Sequence, residues 1–297
     1  MKLPDFEAWS IFACVVEHKS FTGAALALGL SKATISKAVT RLERRVGTPL
    51  FHRTSRRLSL TDSGRKLIDH AKSILSEGQA AEEAARDEAS EPVGLVRLAV
   101  PMSFGLKQLG PVIADFLCDY QGISIDLHLS DAKVDLIGEG FDIGLRIGAL
   151  PDSSLRARKL RDVQTHIVAA PTYLERMGIP QHPAEIGEHE CLQYSLLTAP
   201  DYWRFTNAAG EEVAVRPRGR LRANNSDAML HSLRSGLGIA VVPDFIVDED
   251  LANGSIVPIL TDWQPRRVAL HLVTPPGAIR PQRVTVLIDY LAARLGR

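Results

Sequence analysis

The sequence predicts an α/β protein with a basic helical head and a larger second half in which short strands alternate with helices. Residues 22–46 contain two short helical patterns separated by Gly29-Leu30. From Val93 onward, β-rich runs alternate with helical patterns, which is typical of an α/β domain with a largely parallel sheet. A chain of 297 residues is also long enough for about two domains.

Charge is distributed unevenly although the formal net charge is zero. Residues 1–66 hold twelve Lys and Arg against five Asp and Glu, whereas residues 67–91 hold two against seven. A basic head on an otherwise slightly acidic chain predicts a polyanionic partner for the head alone.

Two helices are predicted before residue 30. The first spans residues 4–18 and has an apolar face at helical spacing that includes Trp9 and Phe12. The second is predicted to begin with Thr22 as its N-cap residue. Phe21 and Leu26, on either side of that cap, would then form a hydrophobic staple.

A third helix begins after Ser31, a favourable N-cap residue. Its apolar positions, Ile35, Val39, Leu42 and Val46, follow a helical period. The other face carries hydroxyl and basic side chains: Lys32, Thr34, Ser36, Lys37, Arg41, Arg44 and Arg45. This pattern favours a recognition helix for the DNA major groove, and an ordinary surface helix with solvated charges remains the alternative.

A small hairpin is predicted next, and it makes the head a winged helix-turn-helix. Gly47 is placed to end the third helix and Pro49 to prevent its continuation. Residues 50–54 and 57–61 are then predicted to form the two short strands of this hairpin. Arg53, Arg56 and Arg57 on this wing are expected to reach phosphates or a minor groove.

A long linker helix is predicted from Asp62 to about residue 89, with Thr61 as its cap and Pro92 as its stop. Small or apolar residues form a seam along it at three- and four-residue spacing: Leu67, Ala71, Ile74, Gly78, Ala81 and Ala85. The seam is only just long enough to indicate a coiled coil.

The second half contains seven predicted strands and five predicted helices. The strands are at 95–100, 123–129, 143–146, 165–169, 191–196, 213–216 and 239–242. The helices are at 106–118, 133–138, 171–177, 227–235 and 281–295.

The order of residues in the head resembles the LysR-type transcriptional regulators. The matching motifs are Phe21-Thr22-x-Ala24-Ala25, Leu28-x-Leu30-Ser31, Ile35-Ser36-Lys37, Leu42-Glu43-x-x-Val46-Gly47-x-x-Leu50-Phe51-x-Arg53 and Leu60-Thr61-x-x-Gly64. A departure is Ala33-Thr34, where many members have Pro-Ala or a similar pair. Pro151-Asp152-Ser153-Ser154-Leu155 and Val242-Pro243-Asp244 extend the resemblance into the second half.

The resemblance implies a two-lobed, periplasmic-binding-protein-like effector domain and a division of the chain into three parts. These are a winged helix-turn-helix at 1–61, a linker dimerisation helix at 62–91 and the effector domain at 92–297. Lobe I would comprise residues 92–162 and 268–297, and lobe II residues 163–267. It also implies homodimers that associate into homotetramers on an operator with an inverted repeat.

Together, the basic face, the wing and the resemblance define two sets of candidate site residues. Those expected to contact double-stranded DNA are Ser31, Lys32, Ala33, Thr34, Ser36, Lys37, Arg41, Arg53, Arg56 and Arg57. Those expected to line the effector cleft are Ser103, Phe104, Ser130, Asp131, Arg146, Ile147, Asn225 and Ser226.

A small carboxylate or other anion is a candidate effector, because the helix starts near Ser103 and Asn225 would offer free N–H groups. Alternatively, the polar residues at these helix starts are plain N-caps: Ser103, Asn225 and Ser226. Arg146 would then pair only with Asp142 or Asp152. Asp131 would then either disfavour acidic ligands or cap the helix that follows it.

Other classes of function find less support. No apolar run approaches the roughly 20 residues of a membrane span. Three widely spaced cysteines, Cys14, Cys118 and Cys191, fit a reducing cytoplasm, and a peroxide-sensing switch would need a partner for Cys191. His182, His189 and Cys191 lack a recognised metal-ligand spacing. No catalytic or cofactor motif is found, which leaves a solute-binding or enzymatic α/β protein, dimerised by its N-terminal helices, as the alternative.

Overall fold

The computed structural model describes residues 3–53, 58–85, 91–148, 150, 154–196, 202–277 and 280–296. The chain forms two compact units. The first contains residues 1–91 with 137–140 and 277–285, and the second contains 92–136, 141–276 and 286–297.

The first unit begins with three helices, a two-stranded hairpin and a long helix. These are α1 (Phe6–Glu17), α2 (Phe21–Leu28), α3 (Lys32–Val46), β1 (Phe51–Arg53), β2 (Leu58–Leu60) and α4 (Asp62–Ala85). One buried cluster joins all of them, with Phe12, Ile35, Leu42 and Leu50 fully buried at its centre.

Helix α2 begins two residues earlier than the sequence predicts. Ser20, not Thr22, is the N-cap, and its hydroxyl oxygen accepts from the backbone N–H groups of Thr22 and Gly23, both at 3.2 Å. The predicted staple is therefore wrong, because Phe21 is helical and Leu26 is 80% exposed. Phe21 instead packs edge-on against Phe51, with ring centroids 5.6 Å apart.

The expected start, end and buried face of α3 are confirmed. The Ser31 hydroxyl oxygen accepts from Thr34 N at 3.1 Å, and Gly47 ends the helix with a left-handed φ of 76°. Ile35, Val39 and Leu42 are fully buried. The opposite face is therefore turned to solvent.

The wing and the cap of α4 also follow the prediction. Strands β1 and β2 pair antiparallel, with Phe51 opposite Leu60, while the predicted tip at 54–57 lies outside the described residues. Thr61 Oγ1 accepts from Gly64 N at 3.0 Å and donates to the carbonyl of Pro49 at 2.7 Å. The predicted end of the helix near residue 89 also lies outside the described residues.

The predicted seam of α4 divides into two parts. Ala71 is fully buried in the helical core and Leu67 packs against it, whereas Gly78 and Ala81 are exposed. The first part of the seam is thus used inside the unit, against the same core that holds α1.

No single helix among the described residues is long and apolar enough to cross a membrane. Helices α1 and α2 pass that test only as a pair bent by 119°, and both contribute side chains to the buried cluster of the first unit.

The second unit contains most of the strands. They are β3 (Gly94–Val100), β4 (Ile123–Leu129), β5 (Ile143–Ile147), β6 (Arg156–Val163), β7 (Thr165–Ala169), β8 (Glu190–Tyr194), β9 (Trp203–Asn207), β10 (Glu212–Val215), β11 (Arg218–Ala223), β12 (Ile239–Pro243), β13 (Val257–Pro258), β14 (Trp263–Pro265) and β15 (Val268–Thr274).

Its helices are α5 (Met102–Phe104), α6 (Gly110–Asp119), α7 (Pro171–Met177), α8 (Asp227–Arg234), α9 (Asp244–Asn253) and α10 (Gln282–Leu295), whose first turn belongs to the other unit. A π-helical turn, Gly105–Leu109, joins α5 to α6, so the predicted helix at 106–118 is part of a longer helical segment. A 3₁₀ helix spans Pro183–Glu188.

The strands form two five-stranded sheets, which we call sheet A and sheet B. Sheet A has the order β4-β3-β5-β15-β6 and sheet B the order β11-β8-β12-β7-β13. Each is parallel on one side and antiparallel on the other, so the expectation of a largely parallel sheet is only half right. The antiparallel members include β6, β7 and β15, which lie where the chain leaves sheet A and returns to it.

The predicted helix at 133–138 is wrong, because residues 133–135 have no regular structure and residues 136–138 form a turn. The carbonyl of Val134 accepts from the Arg146 guanidinium at 2.9 Å, so it is engaged by a side chain rather than by the next helical turn. Leu136 is buried, and its carbonyl accepts from Phe141 N at 2.8 Å. Tertiary contacts thus override the local helical pattern.

Gly64 and Gly78, both on α4, provide a test of this packing. A Cβ on Gly64 would lie 2.2 Å from the backbone oxygen of Leu50, whereas a Cβ on Gly78 would have nothing within 4 Å. We expect Gly64→Ala to lower the free energy of unfolding by about 2 kcal/mol, through overpacking against backbone. Gly78→Ala should raise it by about 0.5–1 kcal/mol, through helix propensity. Urea unfolding followed by circular dichroism measures both, and equal effects would contradict the close approach of Leu50.

Candidate functional site

The solvent-facing side of α3 carries the predicted polar residues. Lys32, Ala33, Thr34 and Lys37 are exposed, and Ser36 is half-buried. Ser31 is exposed as well, but its hydroxyl lies 2.8 Å from that of Thr34. The two hydroxyls therefore hold each other at the start of the helix, which positions the first turn.

Arg41 differs from the other basic residues of this face because it has two acidic partners. Its guanidinium donates to Asp5 at 2.5 Å and to Glu7 at 2.8 Å. The hydrogen bond from Arg41 holds the pKa of Asp5 below its ordinary value, although burial opposes this. Asp5 in turn caps α1 by accepting from Ala8 N at 3.2 Å. Arg41 thus fastens α3 to the start of α1, and its charge is balanced there.

A shallow basic groove continues along the same helix. It is lined by Ser36, Lys37, Thr40, Arg41, Arg44 and Arg45. Arg44 and Arg45 lie at the end of α3, where cations interact favourably with the helix dipole. On the wing, the backbone of Arg53 belongs to β1, but its side chain, together with Arg56 and Arg57, lies outside what the structure describes.

The second unit contains a cavity of about 440 Å³. Its wall on the sheet A side comes from the ends of three neighbouring parallel strands. Ser103 follows β3, Ser130 and Asp131 follow β4, and Arg146 lies near the end of β5. Because parallel strands end at the same edge of a sheet, three separate segments of the sequence meet here.

Seven of the eight predicted effector residues line this cavity. They are Ser103, Phe104, Ser130, Asp131, Arg146, Ile147 and Ser226. The eighth, Asn225, lies beside it, and its amide nitrogen is 2.6 Å from Asp131 Oδ2 and 3.2 Å from Ser103 Oγ.

Aromatic side chains form much of the remaining wall, and most of them are not among the predicted site residues. Besides Phe104, the lining includes Tyr194, Tyr202, Trp203, Phe205 and Phe245. Trp203 and Phe205 alternate with polar residues along β9, a period-two pattern that would have revealed the strand. It would not have shown that the strand borders the cavity.

Cationic groups outnumber acidic ones around the cavity. The described lining holds four cationic side chains, Lys133, Arg146, Arg204 and Arg266, against a single carboxylate, that of Asp131. Arg146 is half-buried, and burial lowers the pKa of its guanidinium while Asp135 partly opposes this. A partly desolvated cation of this kind gains from an anionic partner.

The helix starts are not free in the way that the sequence suggested. The N–H of Met102, at the start of α5, donates to Asp131 Oδ1 at 3.0 Å, and the N–H of Ala228 donates to the side-chain oxygen of Asn225 at 3.2 Å. Asp131 therefore caps the helical segment that precedes it in the chain. Asp142, the expected partner of Arg146, instead accepts from the backbone N–H of Arg97 at 2.8 Å, and Asp152 lies outside the described residues.

Tyr194 adds a hydroxyl donor to the cavity. Burial, with a smaller contribution from Asp131, raises the pKa of Tyr194 to about 12. The phenol therefore stays protonated at neutral pH and can donate a hydrogen bond to a ligand.

The residues considered for metal or redox chemistry have separate roles. His182 caps the 3₁₀ helix through Ala184 N, and His189 lies 3.1 Å from the hydroxyl of Tyr173. Cys191 is fully buried, and burial raises the pKa of its thiol to about 12. Among the described residues, no group of three possible ligands could hold a metal ion.

Comparison with known proteins agrees with both halves of this description. Residues 6–65 match the model of the bacterial regulatory helix-turn-helix protein, lysR family, and residues 89–296 match the LysR substrate binding domain. The HTH-type transcriptional regulator PtxR of Pseudomonas aeruginosa is 36% identical over 286 residues, which cover 96% of this chain and 91% of that protein.

Two solved structures are similar over the whole length. CrgA of Neisseria meningitidis, a LysR-type transcriptional regulator, is 32% identical with a TM-score of 0.62 and full coverage of both chains. The virulence activator AphB of Vibrio cholerae is 29% identical with a TM-score of 0.64, covering 99% of this chain and 100% of that one. These matches do not favour the enzymatic or solute-binding alternative. The chain belongs to the LysR family of DNA-binding transcriptional regulators, whose second domain binds a small-molecule effector.

Proposed function

We propose that the solvent-facing side of α3 and the wing read an operator with an inverted repeat. The observation that carries this proposal is the exposed row of Lys32, Thr34 and Lys37 on a helix whose other face is fully buried. Two-fold related heads would place two such helices in the major groove about one helical turn apart. Arg53, Arg56 and Arg57 would add phosphate contacts on the wing.

Arg41 has a different role in this proposal. Because Asp5 and Glu7 balance its charge, it positions the recognition helix rather than adding to the attraction for phosphates. Ser31 and Thr34 set the first turn, from which Lys32, Ala33 and Ser36 reach the groove.

We further propose dimers that pair along the linker helix and associate into tetramers. The second part of the α4 seam supports this pairing, since Ala81 is exposed and is not used inside the unit. The proposed borders are 1–61 for the head, 62–91 for the linker and 92–297 for the effector domain. Within the last part, residues 92–162 and 268–297 would form lobe I and residues 163–267 lobe II, and the protein would act in the cytoplasm.

The proposed effector is an anion with an aromatic or otherwise apolar body. Six aromatic side chains and an excess of cationic groups line the same cavity, so an acid group and a flat apolar part would both find partners. Arg146 is the proposed partner of the acid group, since a guanidinium binds a carboxylate through two parallel hydrogen bonds.

Lys37→Ala tests the recognition surface. The probe is a DNA duplex that the wild-type protein selects from random sequences. We expect the variant to bind this duplex with roughly tenfold lower affinity. The slope of log affinity against log salt concentration should also be smaller by about one for each head. Fluorescence anisotropy at several salt concentrations measures both quantities, and Arg53→Ala should behave likewise. Lys159→Ala is the matched control, because Lys159 lies on β6 of the other unit and pairs with Asp162 at 2.6 Å. An unchanged slope for Lys37→Ala would remove it from the interface.

Arg146→Gln tests the effector site. Benzoate, phenylacetate and indole-3-acetate are suitable probes, with benzamide as a neutral analogue. An acid that binds at about 100 times its Kd stabilises the native state by about 2.7 kcal/mol. The midpoint of thermal unfolding should therefore rise for wild type and for the control Arg158→Gln, an exposed arginine on β6, but not for Arg146→Gln. Equal stabilisation by benzamide would refute recognition of an anion.

A redox-switched regulator is the remaining alternative within the family, and thiol titration distinguishes it. Cys191 and Cys14 are buried with raised pKa values, whereas Cys118 is exposed. At pH 8, one thiol of the native protein should react rapidly with an aromatic disulfide reagent, and the other two only after unfolding, because the buried thiols stay protonated. Rapid reaction of Cys191 in the native protein would favour the redox alternative.

A further inference from the structure

Asp131 places a carboxylate of the chain itself at one corner of the effector cavity. Its Oδ1 accepts from the N–H of Met102 at 3.0 Å, and its Oδ2 accepts from the side-chain amide of Asn225 at 2.6 Å. Met102 and Asp131 both follow strands of sheet A, whereas Asn225 follows β11 of sheet B. The carboxylate therefore links the parts of the unit that carry the two sheets.

The donors at this corner are already engaged. The amide nitrogen of Asn225 faces both Asp131 and Ser103 Oγ, and its oxygen accepts from Ala228 N. Ser103 is only 6% exposed. A ligand acid arriving here would meet a fixed negative charge and the donors that this charge already occupies, which disfavours its binding.

A second polar link lies close in sequence to the first. Lys107 Nζ is 3.2 Å from Asp227, at the start of α8, and donates to the carbonyl of Ile246 in α9 at 3.0 Å. Lys107 belongs to the π-helical turn that follows α5, and both of its partners lie on helices that adjoin strands of sheet B. The two sides of the cavity are thus joined by polar contacts that need no ligand.

We propose that Asp131 is a specificity-determining residue that acts as a tethered internal anion. It fills the corner formed by Met102 N–H, Ser103 and Asn225, in the place that the acid group of a ligand would otherwise take. The acid group of the effector is thereby directed to the cationic wall at Arg146, and small carboxylates that rely on this corner are excluded. This inference rests on the proposed function, in which the cavity binds an anionic effector.

Removal of the Asp131 carboxylate should allow a carboxylate from solution to bind at the same corner. Full-length Asp131→Ala should unfold at a temperature lower by about 3–8 °C, since two hydrogen bonds to a charged acceptor are lost. Sodium acetate at about 100 mM should then raise that midpoint by about 2–4 °C more than sodium chloride of equal ionic strength. Wild type should respond equally to the two salts, because its corner is full.

Two variants control for shape and for charge. Asp131→Asn keeps the corner filled, so it should be destabilised without any specific response to acetate. Asp126→Ala removes an exposed carboxylate that pairs with Arg97 at 3.2 Å on the neighbouring strand, and it should also show no acetate-specific effect. If Asp131→Ala does not fold, acetate added during refolding should restore the folded protein where chloride does not.

Three results would overturn the inference. The first is an acetate-specific rise in the unfolding midpoint of wild type as large as that in Asp131→Ala. The second is the absence of any such rise, or of rescue by acetate, in Asp131→Ala. The third is an equal acetate-specific rise in Asp126→Ala. Binding of an aromatic acid by wild type and its loss in Arg146→Gln are measured separately. A failed acetate rescue with intact aromatic-acid binding therefore refutes the role of Asp131 and leaves the proposed effector site standing.

Discussion

The common end point of three parallel strands is the constraint on which the candidate effector cavity depends. Strands β4, β3 and β5 run side by side in the same direction, so the residues that follow or end them meet at one edge of sheet A. Ser103, Asp131 and Arg146 are far apart in the sequence and are brought to one cavity by this register alone. The chain then crosses to sheet B and returns. Between the two crossings, β9 contributes Trp203 and Phe205 to the wall of the cavity, and the segment after β14 contributes Arg266.

Within that cavity, the negative and positive side chains are held by different contacts. Asp131 is held at one corner by a backbone N–H and an amide, while Arg146 is half-buried and bound through one of its nitrogens to the carbonyl of Val134. The same contact that holds Arg146 keeps the segment at 133–138 out of a helix. A feature that looks like an error of secondary-structure prediction is therefore part of how the site is built.

The head shows a similar division between structural and functional charge. Seven polar or basic positions lie on one face of α3, yet Arg41 is neutralised by Asp5 and Glu7, and the Ser31 and Thr34 hydroxyls are joined to each other. Lys32 and Lys37 remain exposed to a polyanion. The helix is positioned by its own caps and by the ion pairs to α1, and in the proposed function its lysines are the groups that reach the DNA.

The sequence by itself determined the features that depend on local chemistry. The caps Ser31 and Thr61, the left-handed Gly47, the buried period of α3 and the strands at 123–129 and 165–169 were all predictable, because each depends on neighbours within a few residues. Seven cavity residues were also anticipated, six of them through the family resemblance and Ser226 through the predicted helix start. Only the tertiary structure decided the mixed direction of both sheets, the partners of Arg41 and Asp131, and the aromatic lining. Each of these depends on a contact between segments that are distant in the chain, and the local pattern of residues carries no record of such a partner.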